Sequence, residues 1–143
     1  MAELDYSQLE LRVASWLAGD ENMQHAYQSG SDLHSKTTEL LFGDTSGLSH
    51  EEQKRRRTQS KSANFGFLYG MVAKTFIAYA KGYGLDLTQE DSEKIRADFF
   101  NAYPTLLTWH EECKDYARTY GYIKSPIGRK RWFKNIHSNN FAL

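Results

Sequence analysis

The sequence predicts a mainly α-helical fold with a small amount of β structure. Apolar residues recur at helical spacing through most of the chain between residues 8 and 120. Capping residues or glycines stand where these periodic stretches begin and end. Only residues 122–133 change to the turn-centred pattern of a small hairpin. The 143 residues suffice for one domain with its own core and are equally compatible with a piece of a larger protein.

The first third of the chain predicts a strand stub and three short helices. The stub covers residues 2–5, and a turn at residues 5–7 leads into a helix over residues 8–17. Gly19 ends this helix. A second helix contains Met23 and Tyr27 and stops near Gly30. Asp32 can cap a third helix, which runs to Phe42.

A long central helix is predicted over about residues 49–70. Ser49 and Glu52 have the spacing of a capping box, and Gly70 is a plausible stop. Gly66 lies inside the helix, which costs about 1 kcal/mol relative to alanine. We therefore expect another group to approach the backbone closely at Gly66.

The remaining elements are three helices and the hairpin. Their predicted positions are residues 72–80, a helix opened by a Thr88–Asp91 capping box, a helix from Pro104 to the Gly121 stop, and strands at 122–124 and 129–133 around a turn at 125–128.

Four residues of the central helix form one stripe of side chains. Arg57, Lys61, Phe65 and Tyr69 are spaced by four, so they span roughly 18 Å at about 1.5 Å per residue. Small residues at 62 and 66 should leave room beside the rings. A ligand that is anionic at one end and flat at the other, such as a nucleoside triphosphate, fits this order. The alternative is an ordinary solvated charged face next to core aromatics.

The charge and cysteine content of the chain exclude some kinds of protein and of metal site. The formal net charge is zero, which argues against a uniformly basic nucleic-acid coat, yet cations cluster at residues 54–61 and 129–134. Cys113 is the single cysteine, so an internal disulfide and an all-cysteine metal site are excluded. The chain shows neither an export signal nor a membrane span, and a reducing, intracellular compartment is the default expectation.

Asp5 lies where the predicted strand passes into the first helix. A carboxylate at such a position can project into a cleft and bind magnesium, although helix capping is the commoner role. Magnesium takes one or two carboxylates together with phosphate oxygens and waters, so Asp5 alone would be half a site.

Several segments together resemble one family. Motif A of the family A DNA polymerases, the bacterial DNA polymerase I group, is similar to residues 5–12, DYSQLELR. Motif B, on that family's fingers helix, is similar to residues 57–70, RTQSKSANFGFLYG. Further similar segments are GDEN at 19–22, DLH at 32–34 and SPIGRKR at 125–131. The resemblance covers essentially the whole chain, in order.

The resemblance implies a role for each matching residue. Asp5 and Lys61 would be catalytic, with Asp5 and the backbone carbonyl of Tyr6 as ligands of Mg²⁺. Glu10 would reject a ribose 2′-hydroxyl and pair with Tyr69. The implied dNTP-binding residues are Gln8, Glu10, His34, Arg57, Lys61, Phe65 and Tyr69. The implied template or DNA contacts are Tyr69, Arg129 and Arg131.

His34 and the basic hairpin also have plainer interpretations. One histidine on a helix is more often a surface residue or a hydrogen-bonded core residue than a ligand. The cations at residues 129–134 are equally consistent with a solvated hairpin edge, although a basic hairpin with a tryptophan can also contact a nucleic-acid backbone.

The resemblance implies three regions in the chain and shows that one metal-binding residue of the family has no counterpart. It implies a partial palm at residues 1–18, a helical fingers region at 19–121, and a basic hairpin and tail at 122–143 leading back toward the palm. The family's second metal-binding aspartate, in a His-Asp-Glu segment, has no counterpart here. We therefore expect a truncated or excised polymerase or one product of a split gene, with negligible activity alone.

The function predicted from the sequence is the nucleotide-selecting portion of a DNA-directed DNA polymerase using two magnesium ions. Its expected partners are primer-template DNA, dNTPs and a second chain or missing segment that supplies the rest of the palm and the thumb. Its expected location is the cytoplasm of a bacterial cell or a phage-infected host, without membrane contact. The alternative is a noncatalytic nucleotide- or DNA-binding module or a structural subunit of a larger complex.

Overall fold

The computed structural model describes residues 6–134. Within this range the chain forms seven helices followed by one two-stranded antiparallel sheet, which confirms the mainly α prediction with minor β. The elements are α1 (Leu9–Ala18), α2 (Glu21–Gln28), α3 (Leu33–Phe42), α4 (His50–Leu68), α5 (Ala73–Lys81), α6 (Gln89–Ala102), α7 (Pro104–Tyr120), β1 (Tyr122–Lys124) and β2 (Lys130–Trp132). The predicted strand stub at 2–5, together with Asp5, lies outside the described residues.

Capping side chains set the predicted helix starts. The Thr88 and Asp91 side chains form the complete reciprocal capping box that opens α6. Ser49 caps α4 by accepting a hydrogen bond from the Glu52 backbone N–H at 3.3 Å. The expected box is nevertheless incomplete, because the Glu52 carboxylate accepts hydrogen bonds from Arg55 and Arg56 instead. Charge-assisted bonds with guanidinium groups thus replace the return bond to the backbone.

The core centres on Phe67 of α4, which is fully buried. Its ring centroid lies 4.4 Å from that of Phe76 on α5, and 5.3 and 6.1 Å from those of Phe99 and Phe100 on α6. These separations suit tilted and edge-on aromatic pairs. The core also includes Leu11, Met23, Leu33, Ala63 and Leu106. The central helix is therefore fixed from several sides.

Phe76 of α5 packs closely against α4 at Gly66. A Cβ placed on Gly66 would lie 3.0 Å from Cδ2 of Phe76 and 3.6 Å from the Met71 sulfur. The expected close approach is therefore made by the protein's own core. Ser62 is also fully buried. The prediction that these small residues leave free room beside the rings is wrong, because neighbouring protein atoms cover both positions.

The apolar side chains of α1 are divided between the core and the solvent. Leu11 and Ala14 pack into the core, whereas Leu9, Val13 and Trp16 are 46, 43 and 66% exposed. This apolar row, Leu9, Val13 and Trp16, is unusual on a solvated helix.

Among residues 6–134, no helix combines the length and the apolar character that a membrane crossing requires.

Candidate nucleotide-binding site

The stripe on α4 lies along the border between the core and the solvent. Arg57, Lys61 and Phe65 are partly exposed, whereas residues 62–64 and 66–68 beside them are buried. Tyr69 is the C-cap of α4 rather than a residue within it, and its side chain is 56% exposed. The structure therefore presents two cations and two rings in the predicted order at the edge of the molecule.

Arg57 is paired with Asp32 at the start of α3. The Arg57 Nε and one terminal guanidinium nitrogen each lie 2.8 Å from Asp32 Oδ2. Because a guanidinium has five N–H donors, the remaining donors stay available to a second anion. The pair fixes the direction of the Arg57 side chain without using all of its hydrogen-bonding capacity.

Asp32 accepts hydrogen bonds from four groups in three parts of the chain. Besides Arg57, the donors are Gln8 Nε2, the backbone N–H of His34 at 3.3 Å and Ser35 Oγ at 2.7 Å. Burial acts to raise the pKa of this carboxyl, but the hydrogen bonds from Arg57 and Ser35 outweigh it and lower the pKa to about 2. A stable negative charge therefore joins the turn before α1, the start of α3 and the middle of α4.

His34 is buried beside the stripe and hydrogen-bonded within the protein. Its Nδ1 lies 2.7 Å from Nδ2 of Asn64. Asn64 Oδ1 in turn accepts a hydrogen bond from the Thr37 hydroxyl at 2.8 Å. This orients the Asn64 amide so that its NH₂ donates to Nδ1, and the neutral His34 ring then carries its proton on Nε2.

The electrostatic surroundings keep His34 neutral. Desolvation by burial is the main cause of its lowered pKa, which is about 4; Arg57 and Lys61 lower it further, while Asp32 opposes them. The ring centroid is 5.9 Å from that of Phe65. At neutral pH His34 can offer an N–H donor beside the stripe, but not a positive charge. Its predicted triphosphate role therefore becomes a hydrogen-bonding one.

Gln8 lies in a strained turn that leads into α1. Its φ of 54° is the only left-handed value of a non-glycine residue in the described part of the chain. Such a conformation costs free energy and persists only where surrounding contacts hold it. The side chain is held at both ends, since Nε2 donates to Asp32 and Oε1 accepts from the Tyr27 hydroxyl at 3.4 Å.

The structure brings some of the predicted residues together and leaves others apart. Gln8, His34 and Arg57 converge on Asp32, with Phe65 next to His34. Glu10 is exposed on α1, and no hydrogen bond within residues 6–134 joins it to Tyr69, which is also exposed. The predicted pairing of these two side chains is thus not formed in this structure.

The predicted metal ligands can be described only at Tyr6. Asp5 lies outside the described residues, so the structure gives no geometry for its carboxylate. Within the described range, no group of three or more His, Cys, Asp or Glu side chains is arranged to hold a metal ion. The Tyr6 side chain is 79% exposed at the approach to α1. The Mg²⁺ site stays a prediction.

Arg129 and Arg131 lie on the hairpin that follows α7. Both side chains are exposed, and Arg131 is paired across the sheet with Ile123. The turn between the strands is closed by a hydrogen bond from the Ser125 N–H to the Arg129 carbonyl at 2.8 Å. The hairpin can therefore present cations to a polyanion.

Sequence reasoning did not assign Asp32 or Asn64 to the site. The sequence predicts Asp32 to be a helix cap within the DLH segment, and the capping role is confirmed by its hydrogen bond from the His34 N–H. A fully buried asparagine on a helix is a sign of a required hydrogen-bond network, because an unsatisfied buried amide is costly. No sequence signal identified the contacts that Asp32 makes with Gln8 and Arg57, which lie 24 and 25 positions away in the chain.

Comparison with known proteins relates the chain to one group of enzymes. A model of the family described as DNA polymerase family A matches residues 1–143. The chain is 35% identical to the thermostable DNA polymerase I of Thermus filiformis over 134 residues, covering 94% of this chain and 15% of that protein. It is 34% identical to DNA polymerase I of Aquifex aeolicus over 129 residues, covering 88% of this chain and 22% of that protein.

A solved structure has the same fold. The POL domain of Pol1 from M. smegmatis, in complex with DNA primer-template and dNTP, matches with a TM-score of 0.77 and 26% sequence identity. The match covers 95% of this chain and 23% of that chain. The chain thus spans less than a quarter of the length of each of these proteins.

Proposed function

The chain belongs to DNA polymerase family A, and from that membership we propose that it is the nucleotide-selecting portion of a DNA-directed DNA polymerase. The mainly helical fold agrees with a fingers region joined to part of a palm. The similar POL domain from M. smegmatis carries primer-template and dNTP. We propose the same two ligands for the polymerase to which this chain contributes.

The observation that supports the proposal best is the order of the side chains along α4. Arg57 and Lys61 lie toward one end of a partly exposed stripe, and Phe65 and Tyr69 toward the other. The cations suit the triphosphate, since guanidinium forms paired hydrogen bonds with phosphate oxygens and ammonium supplies a compact charge. The rings suit the sugar and the base.

The proposed reaction is nucleotidyl transfer. The primer 3′-oxygen attacks the α-phosphorus of the dNTP, a new phosphodiester bond forms, and pyrophosphate leaves. Lys61 and Arg57 would stabilise the negative charge that develops on the pyrophosphate. His34, neutral with its proton on Nε2, would add one hydrogen bond to a phosphate oxygen. Gln8 would lie along the nucleotide, while Glu10 would exclude the ribose 2′-hydroxyl.

The metal chemistry is proposed to begin at the turn before α1. The Asp5 carboxylate and the Tyr6 carbonyl are hard oxygen donors of the kind that Mg²⁺ prefers. Mg²⁺ held by these donors would offset the negative charge of the phosphates and would favour the deprotonated form of the attacking hydroxyl. A further carboxylate from another part of the polymerase would complete a two-metal site.

The test is dNTP binding by calorimetry, with and without a polypeptide that supplies the remaining palm and thumb. Loss of a charge-assisted hydrogen bond costs about 1.5–3 kcal/mol, so we expect Lys61→Ala and Arg57→Ala each to weaken binding about tenfold or more. Lys74→Ala changes an exposed cation on a different helix, α5, and should have no effect. Absence of dNTP affinity in the completed assembly would refute the proposal.

The same experiment separates the enzyme from the noncatalytic alternative. Primer extension by the completed assembly supports the polymerase function. Nucleotide or DNA binding without extension in that assembly would instead indicate a noncatalytic binding module.

A further inference from the structure

Four aromatic rings form a continuous series where α7 meets the hairpin. The ring centroids of Tyr116 and Tyr120 are 4.5 Å apart, those of Tyr116 and Tyr122 are 5.9 Å apart, and those of Tyr122 and Trp132 are 4.8 Å apart. We refer to Tyr116, Tyr120, Tyr122 and Trp132 as the aromatic ladder. Consecutive contacts of this kind make one extended π surface across α7 and both strands of the hairpin.

The aromatic ladder is open to solvent. Tyr116, Tyr120 and Trp132 are 40, 56 and 67% exposed. Isolated exposed rings are ordinary, but a contiguous group indicates a surface that binds something. The core formed around Phe67 does not use these rings.

The hairpin places two lysines on the ladder's face. Tyr122 pairs with Trp132 across the strands, and Lys124 pairs with Lys130. Because side chains alternate along a strand, these four residues share one face of the sheet. Lys130 Nζ lies 4.2 Å from the Tyr122 ring centroid and 5.6 Å from that of Trp132. Cationic and aromatic groups are thus interleaved.

Among the described residues, no carboxylate neutralises the positive charge of the hairpin. Residues 122–134 contain five Lys or Arg residues and no Asp or Glu. No ion pair within residues 6–134 involves any of these five cations. Like charges directly opposite each other in a sheet are destabilising, so the Lys124–Lys130 pair favours an anionic partner.

We propose that the aromatic ladder and the Lys124–Lys130 pair bind single-stranded DNA. Bases would stack on Tyr120 and Trp132, while the lysines contact the phosphates between them. An unpaired strand offers the base faces that a duplex covers, and stacking on exposed aromatics beside cations is the usual way to hold it. The proposal concerns a surface separate from the α4 stripe and does not depend on dNTP binding there.

The proposal adds base stacking to the backbone contact expected of Arg129 and Arg131. A purely electrostatic hairpin would bind phosphates regardless of the bases. A stacking surface binds more tightly when bases are present, and this difference can be measured.

The test measures binding of the full 143-residue chain to fluorescent oligonucleotides by anisotropy. The probes are an oligothymidylate of about 12 nucleotides, an abasic strand of equal length and charge, and a blunt duplex. We expect the oligothymidylate to bind about tenfold more tightly than the abasic strand. Tyr120→Leu should remove most of that difference, and Lys124→Ala should reduce the salt dependence of binding.

Controls separate stacking from folding. Ile127→Ala changes a side chain that is 92% exposed in the same hairpin but is not part of the ladder, so it should leave binding unchanged. Circular dichroism checks that Tyr120→Leu keeps its helix, and Trp132→Leu provides a second ladder variant. Equal affinity for the base-bearing and abasic strands, or full affinity in both ladder variants, would overturn the proposal.

A separate dNTP titration keeps the two proposals distinguishable. If the completed assembly has no dNTP affinity while the chain still prefers the base-bearing strand to the abasic strand, the triphosphate site is refuted and the ladder is supported. The opposite result refutes the ladder and supports the triphosphate site.

Discussion

At the scale of single residues, Asp32 links three predicted nucleotide contacts. Its carboxylate caps α3, orients Arg57 and holds the Gln8 side chain. A cap needs only one hydrogen bond, so the additional donors give this residue a second role. Asp32 holds the Arg57 guanidinium in place, which would reduce the ordering cost of binding a phosphate there.

Asp32 should make stability depend on pH in the acidic range. Its pKa falls from an ordinary value of 3.8 to about 2 on folding. A depressed pKa stabilises the fold above the unfolded value, and that contribution is lost as pH falls through the folded value. We expect Asp32→Asn to lower the free energy of unfolding by about 1 kcal/mol at pH 6, a figure reduced for solvent screening. Near pH 2 the difference should nearly vanish.

Urea denaturation of both proteins between pH 2 and pH 6 measures this dependence. Asp115→Asn is the matched control, because it removes an exposed carboxylate paired with Arg118 three residues away on the same helix. Such exposed pairs contribute little, so the control should change stability by less than about 0.5 kcal/mol. A constant difference for Asp32→Asn across the pH range would contradict the assigned charge.

At the scale of elements, α4 is fixed by packing that overrides its local preferences. Gly66 weakens the helix by about 1 kcal/mol relative to alanine. The Phe76 ring occupies the space that an alanine methyl group would need, at 3.0 Å. Glycine therefore permits the close contact between α4 and α5, and a methyl group at this position would require the Phe76 ring to shift.

Gly66→Ala should therefore destabilise the fold despite alanine's better helix propensity. Overpacking typically costs about 1–3 kcal/mol, so we expect a net loss of about 1–2 kcal/mol in chemical denaturation. A double-mutant cycle with Phe76→Leu provides the control. If Phe76 causes the loss, Gly66→Ala should be much less harmful in the Phe76→Leu background. An equal loss in both backgrounds would exclude this contact as the cause.

The predictable part of the fold is the part that local chemistry determines. Thr88, Asp91, Pro104 and Gly121 mark helix boundaries through capping and backbone preferences that act within a few residues, and the structure agrees with them. The order of charges and rings on α4 likewise follows from helical spacing alone.

Long-range competition explains what the sequence did not predict. Glu52 is spaced for a capping box, but neighbouring guanidinium groups take its carboxylate. The small residue Gly66 indicated a close approach, yet local spacing could not distinguish a ligand from Phe76. The convergence on Asp32 required contacts between separate helices. These outcomes depend on tertiary structure rather than on spacing.

At the scale of the whole molecule, the apolar row on α1 identifies a surface suited to the rest of a polymerase. Leu9, Val13 and Trp16 are exposed next to the turn that carries Tyr6. The matched relatives are far longer than this chain. We therefore expect this row to pack against another part of the palm and so bring the predicted metal ligands to the active centre.

Primer extension tests this arrangement. We expect the chain alone to extend no primer, because its sequence contains no His-Asp-Glu segment to supply the second carboxylate that the proposed mechanism needs. Adding a polypeptide with the remaining palm and thumb should restore extension. Trp16→Ser should reduce the restored rate at least about tenfold, because burying a large aromatic side chain contributes about 2–3 kcal/mol. Leu40→Ser is a suitable control, because Leu40 on α3 is 39% exposed and lies outside the row. If Trp16→Ser and Leu40→Ser behave alike at limiting partner concentration, the apolar row on α1 is not the assembly surface. If only Trp16→Ser fails there and excess partner rescues it, the defect lies in association rather than in nucleotide selection.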